Sequence, residues 1–328
     1  MPIPLCCSRQ FAIAALALPS TPFGLSATAF WMYVCAALLL IIGLIRILKE
    51  LPRENGVDKV MPFGRLFYAI PIAVFGSEHY TATREIAAMV PRWIPAHTFW
   101  VYAVGLGFMC AGLSMAVLVQ ARLAAALTGM TFLIFVCVMD IPGAIAHPHN
   151  RFVWIFALRE LSFGSGALAF AMAPWSRRLR PPPAARPVKA RVAALPRLFI
   201  GAASLFYGVE HLLHPEHVPG VPLEMLTPGW IPGRIFVGYF VGVVLILAGG
   251  CLLANKKARL AATYSGLTIL LAVLWIYLPI LLAAPKSVEA LNYFFDTLFF
   301  CGAVLLLANA LEKETAAAPP AYASQSAG

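Results

Sequence analysis

Apolar and polar residues fall along this chain in long blocks. Nine mostly apolar runs, at about 30–48, 64–80, 97–119, 123–145, 152–173, 197–213, 233–254, 260–284 and 289–310, are separated by shorter polar segments. A helix rises about 1.5 Å per residue and a bilayer's hydrocarbon core is about 30 Å thick, so runs of this length predict spanning helices. No run shows the strict alternation of a half-buried strand. The pattern therefore predicts an all-α membrane protein.

The blocks also repeat. RLFYAIPIAVFGSEH at 65–79 returns as RLFIGAASLFYGVEH at 197–211, and both end Gly-x-Glu-His. Pro91, Trp93, Ile94 and Pro95 return as Pro228, Trp230, Ile231 and Pro232, and ARLAA at 121–125 returns letter for letter at 258–262. Pro142 and Pro148 match Pro279 and Pro285; one residue of slack then puts Glu160 on Asp296 and Gly166 on Gly302. Such agreement predicts a tandem duplication. The expected organisation is an N-terminal segment (1–64) with one spanning helix, a first four-helix unit (65–174), a basic proline-rich linker (175–196), a second four-helix unit (197–311) and a disordered tail (312–328). Arg9, the apolar run after it and the small residues at 27–29 give the first 29 residues the look of a weak signal peptide. The linker is expected to be too rich in proline for a helix.

Composition agrees with the pattern. Hydrophobic residues make up 61% of the chain and charged residues 12%, about half the charged share of a soluble domain. The net charge of +10 does not point to nucleic acid, because the basic residues sit between apolar runs and form no cluster interleaved with aromatics. Seventeen of the 24 Lys and Arg fall in one alternating set of loops, which the positive-inside rule places in the cytoplasm. The N-terminus is then outside and the C-terminus inside a bacterial inner membrane. An even number of spans per unit gives both units the same orientation. The seven cysteines include no Cys-x-x-Cys pair, which argues against a thiol–disulfide relay.

Candidate chemistry lies in the polar residues that interrupt apolar runs. Six charged residues do so: Glu78, Asp140, Arg159, Glu160, Glu210 and Asp296. Each costs on the order of 2.5–3.5 kcal/mol at a helix centre by insertion scales, so each is expected to face a partner or cavity. Arg159 has no charged counterpart in the second unit, and a pair with Glu78 or Asp140 is expected. All seven histidines fall at or beyond the outer helix ends. One reading is a polar pocket per unit, opening outward, lined by Glu78 and His79 or Glu210 and His211 with the acids Glu160 or Asp296, and rimmed by Trp93 and Trp230. The other is that these residues form structural pairs. His211, His214 and His217 are weak metal candidates, and no metal is favoured. No helix is expected to carry a mid-span break paired in both units, which counts against a transporter.

The basic residue opening the first helix, Gly-x-Glu-His near its end, Pro-x-Trp-Ile-Pro, the glycine-rich second helix and Ala-Arg-Leu-Ala-Ala together resemble the DoxX-like family of small four-helix membrane proteins. That resemblance covers both units, so the chain reads as a fused pair. Some members of the family are subunits of quinone-linked oxidoreductases such as thiosulfate–quinone oxidoreductase. The resemblance thus implies a redox-associated subunit that binds a quinone or small apolar ligand, exchanges protons with it and takes electrons from a partner protein. A proton-coupled small-molecule carrier and a non-catalytic assembly subunit are the alternatives.

Overall fold

Every regular element in the described part of the chain is helical. The structure, a computed structural model, describes residues 22–53, 55–173 and 186–311. The first 21 residues of the leader-like segment, residue 54, the last residue of the first unit with residues 175–185 of the linker, and the tail lie outside the described residues. In chain order the helices are α1 (Ala27–Glu50), α2 (Met61–Thr81), α3 (Thr83–Met89), α4 (His97–Val117), α5 (Ala121–Phe135), α6 (Ile141–Ala146), α7 (Arg151–Met172), α8 (Arg186–Leu213), α9 (Arg234–Ala254), α10 (Ala258–Ala272), α11 (Leu278–Ala283) and α12 (Val288–Ala310). The linker's last residues belong to α8, against the expectation of a non-helical connector. Pro187 sits in the first turn, where its missing N–H has no bond to make.

Among the described residues, eight helical stretches are long and apolar enough to cross a membrane: Ala27–Glu50, Gly56–Thr81, His97–Val117, Ala121–Ala146, Arg151–Met172, Arg234–Ala254, Ala258–Ala283 and Val288–Ala310. Helix α8, expected to supply a ninth span, is continuous over 28 residues. Leu38, Ile41, Ile45, Leu106, Leu127, Leu247 and Leu271 are exposed on the bundle's outside. In water such a surface would cost roughly 25 cal/mol per Å²; facing lipid it costs nothing. The protein is a multi-pass membrane protein.

Packing runs round a closed circuit. Helix α2 packs on α4, α4 on α5, α5 on α7, α7 on α8, α8 on α9, α9 on α10, α10 on α12, and α12 back on α2, while α7 and α12 also meet each other in the centre. Helix α1 lies outside, chiefly against α2. The first helix of each sequence repeat therefore packs on the last helix of the other as well as on the next long helix of its own. Glycines permit the closest of these approaches: a Cβ on Gly302 of α12 would stand 2.5 Å from the Tyr68 amide nitrogen, and one on Gly166 of α7 would stand 2.6 Å from the Ala303 Cα. Tyr68 Oη donates to the Phe163 carbonyl oxygen at 2.7 Å, tying α2 to α7 as well.

Backbone irregularities recur at an offset of 137 residues. Left-handed residues Ala96, Leu118 and Gln120 recur as Gly233, Asn255 and Lys257. A π-helical turn at Val136–Asp140 recurs at Val273–Tyr277, joining α5 to α6 and α10 to α11. In each, the N–H before the proline reaches back five residues, Ile141 to the Val136 carbonyl oxygen and Leu278 to that of Val273. Pro142 and Pro279 open the helices that follow and supply no N–H of their own. The third long helix of each sequence repeat thus runs on without a break, as expected, but carries a π-helical turn at the same place, just before the proline that recurs.

Arginines hold the opposite end of the bundle. Arg46 donates to the Val117 carbonyl oxygen at 2.9 Å, Arg122 to that of Ala173 at 2.8 Å, and Arg259 to that of Ala308 at 2.9 Å. Helix C-termini leave carbonyls unpaired and carry partial negative charge, so a guanidinium satisfies both needs. Arg259 also pairs with Asp58 at 2.8 Å, and Arg65 with Glu50 at 3.1 Å.

Candidate functional site

The acids scattered along the sequence meet where α2, α7, α12 and the first π-helical turn converge. Asn150 caps α7 by accepting from the Phe152 N–H, and Ser287 caps α12 by accepting from the Ala290 N–H. These caps fix where each helix starts, and so the depth of Arg159, Glu160 and Asp296. Arg159 Nη1 lies 3.3 Å from Asp296 Oδ1, and Arg159 Nη2 lies 3.6 Å from Glu160 Oε1. The expected partners, Glu78 and Asp140, are thus not the closest ones. Asp296 wins because α7 and α12 are neighbours, and Glu160 bends back to reach the guanidinium although adjacent side chains on a helix point about 100° apart. Asn292, one turn before Asp296, donates from Nδ2 to Glu78 Oε1 at 3.0 Å.

Asp140 closes the π-helical turn. The carboxyls of Glu160 and Asp296 thus share one guanidinium, while Glu78 is held by Asn292. Asp140 Oδ2, Glu160 Oε2, Asp296 Oδ2 and Asn292 Oδ1 are buried acceptors with no hydrogen-bond partner among the described residues. A buried polar atom without a partner is costly, so the cluster is short of hydrogen-bond donors.

An aromatic layer borders the cluster. Phe163 and Phe299 stack with centroids 4.0 Å apart, Tyr68 meets Phe299 edge-on at 4.4 Å, and the Arg159 guanidinium carbon lies 4.5 Å from the Phe156 ring centroid. A cation over an aromatic face gains from the ring's quadrupole.

The two Glu-His pairs have different fates. Glu78 joins the central cluster, whereas Glu210 pairs with Arg151 at 2.5 Å, at the start of α7. His79 uses Nδ1 on the Phe75 carbonyl oxygen at 2.7 Å, and His211 Nε2 accepts from the Gly220 N–H at 2.9 Å. Both imidazoles thus serve backbone groups. The acids of the two fourth helices share one arginine, so the structure brings Glu160 of the first repeat and Asp296 of the second into one composite cluster. Trp93 and Trp230 do not line it. They are 73% and 58% exposed, as suits amphipathic indoles at a membrane interface.

The donor atoms of His214, Glu216 and His217 lie within 4.8 Å of one another, but His211, expected beside His214 and His217, is held by Gly220. Arg151 Nη2 stands 2.7 Å from His217 Nε2, occupying that nitrogen's lone pair and repelling a cation. The set does not fit a metal. Burial first, then the Arg151 guanidinium, hold His217 below the ordinary imidazole range.

Asn292 and Arg151 were missed in the sequence reading. A signal existed for Asn292, which lies four residues before Asp296 and so on the same helical face. Arg151 stands outside the apolar runs and gave none. No family model, curated protein or solved structure matches the chain.

Proposed function

We propose that this bacterial inner-membrane protein consists of two DoxX-like four-helix units fused in tandem, and that it carries protons through its central acid cluster in step with a small molecule. One observation carries the reading: Glu160 and Asp296 share the Arg159 guanidinium, and one oxygen of each, with one of Asp140, is buried without a donor. Ionised together these three acids would leave two charges uncompensated by that guanidinium, which is costly away from water. Protons, or a ligand bearing donors, complete the site. The recurring backbone features and the repeated motifs support the tandem reading; the distribution of Lys and Arg supports an outside N-terminus and a cytoplasmic C-terminus. Paired π-helical turns suit a carrier, because a π-helical turn is a strained point at which a continuous helix can rearrange beside a site.

The second reading is a redox-associated subunit that binds a quinone and works with a partner protein. The aromatic layer of Phe163, Phe299 and Tyr68 beside the acids favours it, since a quinone ring would stack there and take up protons on reduction.

Purified protein in vesicles loaded with a pH indicator, challenged with a panel of small metabolites, separates the two. A carrier couples uptake of some compound to a pH change inside, and Glu160→Gln abolishes the coupling. An unchanged internal pH across the panel, with quinone retained by the purified protein in native mass spectrometry, would move the assignment to the redox reading.

A further inference from the structure

The repeats differ most in the segment that follows their Glu-His pair. After His79 the first repeat continues into α3, a two-turn helix with no buried residue, lying against α4. After His211 the second repeat carries an insertion, and its chain turns back into the bundle. All six residues at 218–223 are buried. The segment is closed as a hairpin, with the Val218 N–H on the Met225 carbonyl oxygen at 3.0 Å and the Thr227 N–H on that of Glu216 at 2.8 Å.

Everything around this hairpin holds it in. Tyr277 Oη donates to the Pro219 carbonyl oxygen at 2.8 Å, the Met225 N–H donates to Tyr293 Oη at 3.0 Å, and His211 accepts from Gly220. Gly220 adopts a φ of +113°, and a Cβ there would lie 2.8 Å from Thr297 Cγ2. Only glycine combines that backbone with that space. Beneath the hairpin, Glu210 is spent on Arg151. Position 277, where the second repeat matches Asp140 of the first, holds a tyrosine that bonds to the hairpin itself.

We infer that the chain has one working acid site, entered from the outer side of the first repeat, and that residues 218–223 are a built-in plug sealing the equivalent mouth of the second. The second repeat serves the working site by lending it Asn292 and Asp296 from α12. This inference rests on the proton-carrying reading above and adds where that chemistry occurs. It also accounts for the divergence of the two Glu-His pairs, since a sealed mouth leaves Glu210 free to become half of an ion pair.

Dicyclohexylcarbodiimide tests it on the full chain in vesicles. This apolar reagent forms stable acylurea adducts with protonated carboxyls in apolar surroundings, and peptide mass mapping locates them. The expected result is adducts on Glu78, Asp140 or Glu160 and none on Glu210, even in Arg151→Met, where Glu210 has lost its ion pair and only the plug would still exclude the reagent. Labelling of Glu210 to the same extent as the first-repeat acids would overturn the plug and leave the proton-carrying reading standing. Loss of labelling at every one of these acids would overturn that reading and the plug with it.

Discussion

Arg159 decides the balance of the central cluster, because Glu160 and Asp296 share its guanidinium. Removing one partner of a buried pair typically costs about 3–5 kcal/mol, since the other is left uncompensated. Arg159→Met should destabilise the protein by about that much, and adding Asp296→Asn should return part of the loss. Unfolding in detergent, followed by circular dichroism, measures both; a single variant that melts with the wild type would show that the pair contributes nothing. His217 gives a second residue-scale expectation. Its folded-state affinity for protons is depressed, so below about pH 6.5 the unfolded chain binds more protons than the folded one and stability falls with pH. Melting temperature should drop between about pH 7 and about pH 5, and less steeply in His217→Asn; equal slopes would assign the effect elsewhere. The acids themselves were legible in the sequence, because a charge in an apolar run is conspicuous. Their partners were not: whether Arg159 meets Asp296 or Glu78 depends on which helices are neighbours.

At the scale of elements, close glycine contacts set the spacing of the bundle. A Cβ on Gly302 would meet backbone atoms, the Tyr68 nitrogen at 2.5 Å and the Phe67 carbonyl carbon at 2.7 Å, which cannot rotate away. Gly302→Ala should therefore cost about 1–3 kcal/mol by overpacking. Gly250, with nothing within 4 Å of a built Cβ, should accept alanine neutrally or with a gain of up to about 1 kcal/mol. Paired thermal melts of the two variants check this, and equal melting temperatures would contradict it. Helix positions were readable from run length, and the glycine-rich faces pointed to tight packing. The π-helical turns were readable too, in Pro142 and Pro279 at matching places, but their effect on the preceding turn was overlooked. The hairpin at 218–223 was hidden because its residues, VPGVPL, look like an ordinary turn-rich loop until their burial is known.

At the scale of the molecule, the repeats close each other's bundles, α2 on α12 and α7 on α8. Sequence repetition marks the units but says nothing about which unit's last helix fills a gap, so two separate pockets were expected where the structure has one composite cluster. Halves cut within the linker and expressed together should therefore assemble and co-purify, while either half alone should aggregate; two halves that are each monodisperse and folded would contradict the interlock. The central claim is that the shared carboxyls bind and release protons. Infrared difference spectroscopy of the purified protein across a pH titration tests it most directly, because a carboxylic acid short of hydrogen bonds absorbs at higher frequency than a solvated one. The account predicts a high-frequency acid band that comes and goes with pH, is lost in Glu160→Gln and is weakened in Asp140→Asn. A spectrum with no such band, or with one indifferent to both substitutions, would contradict it.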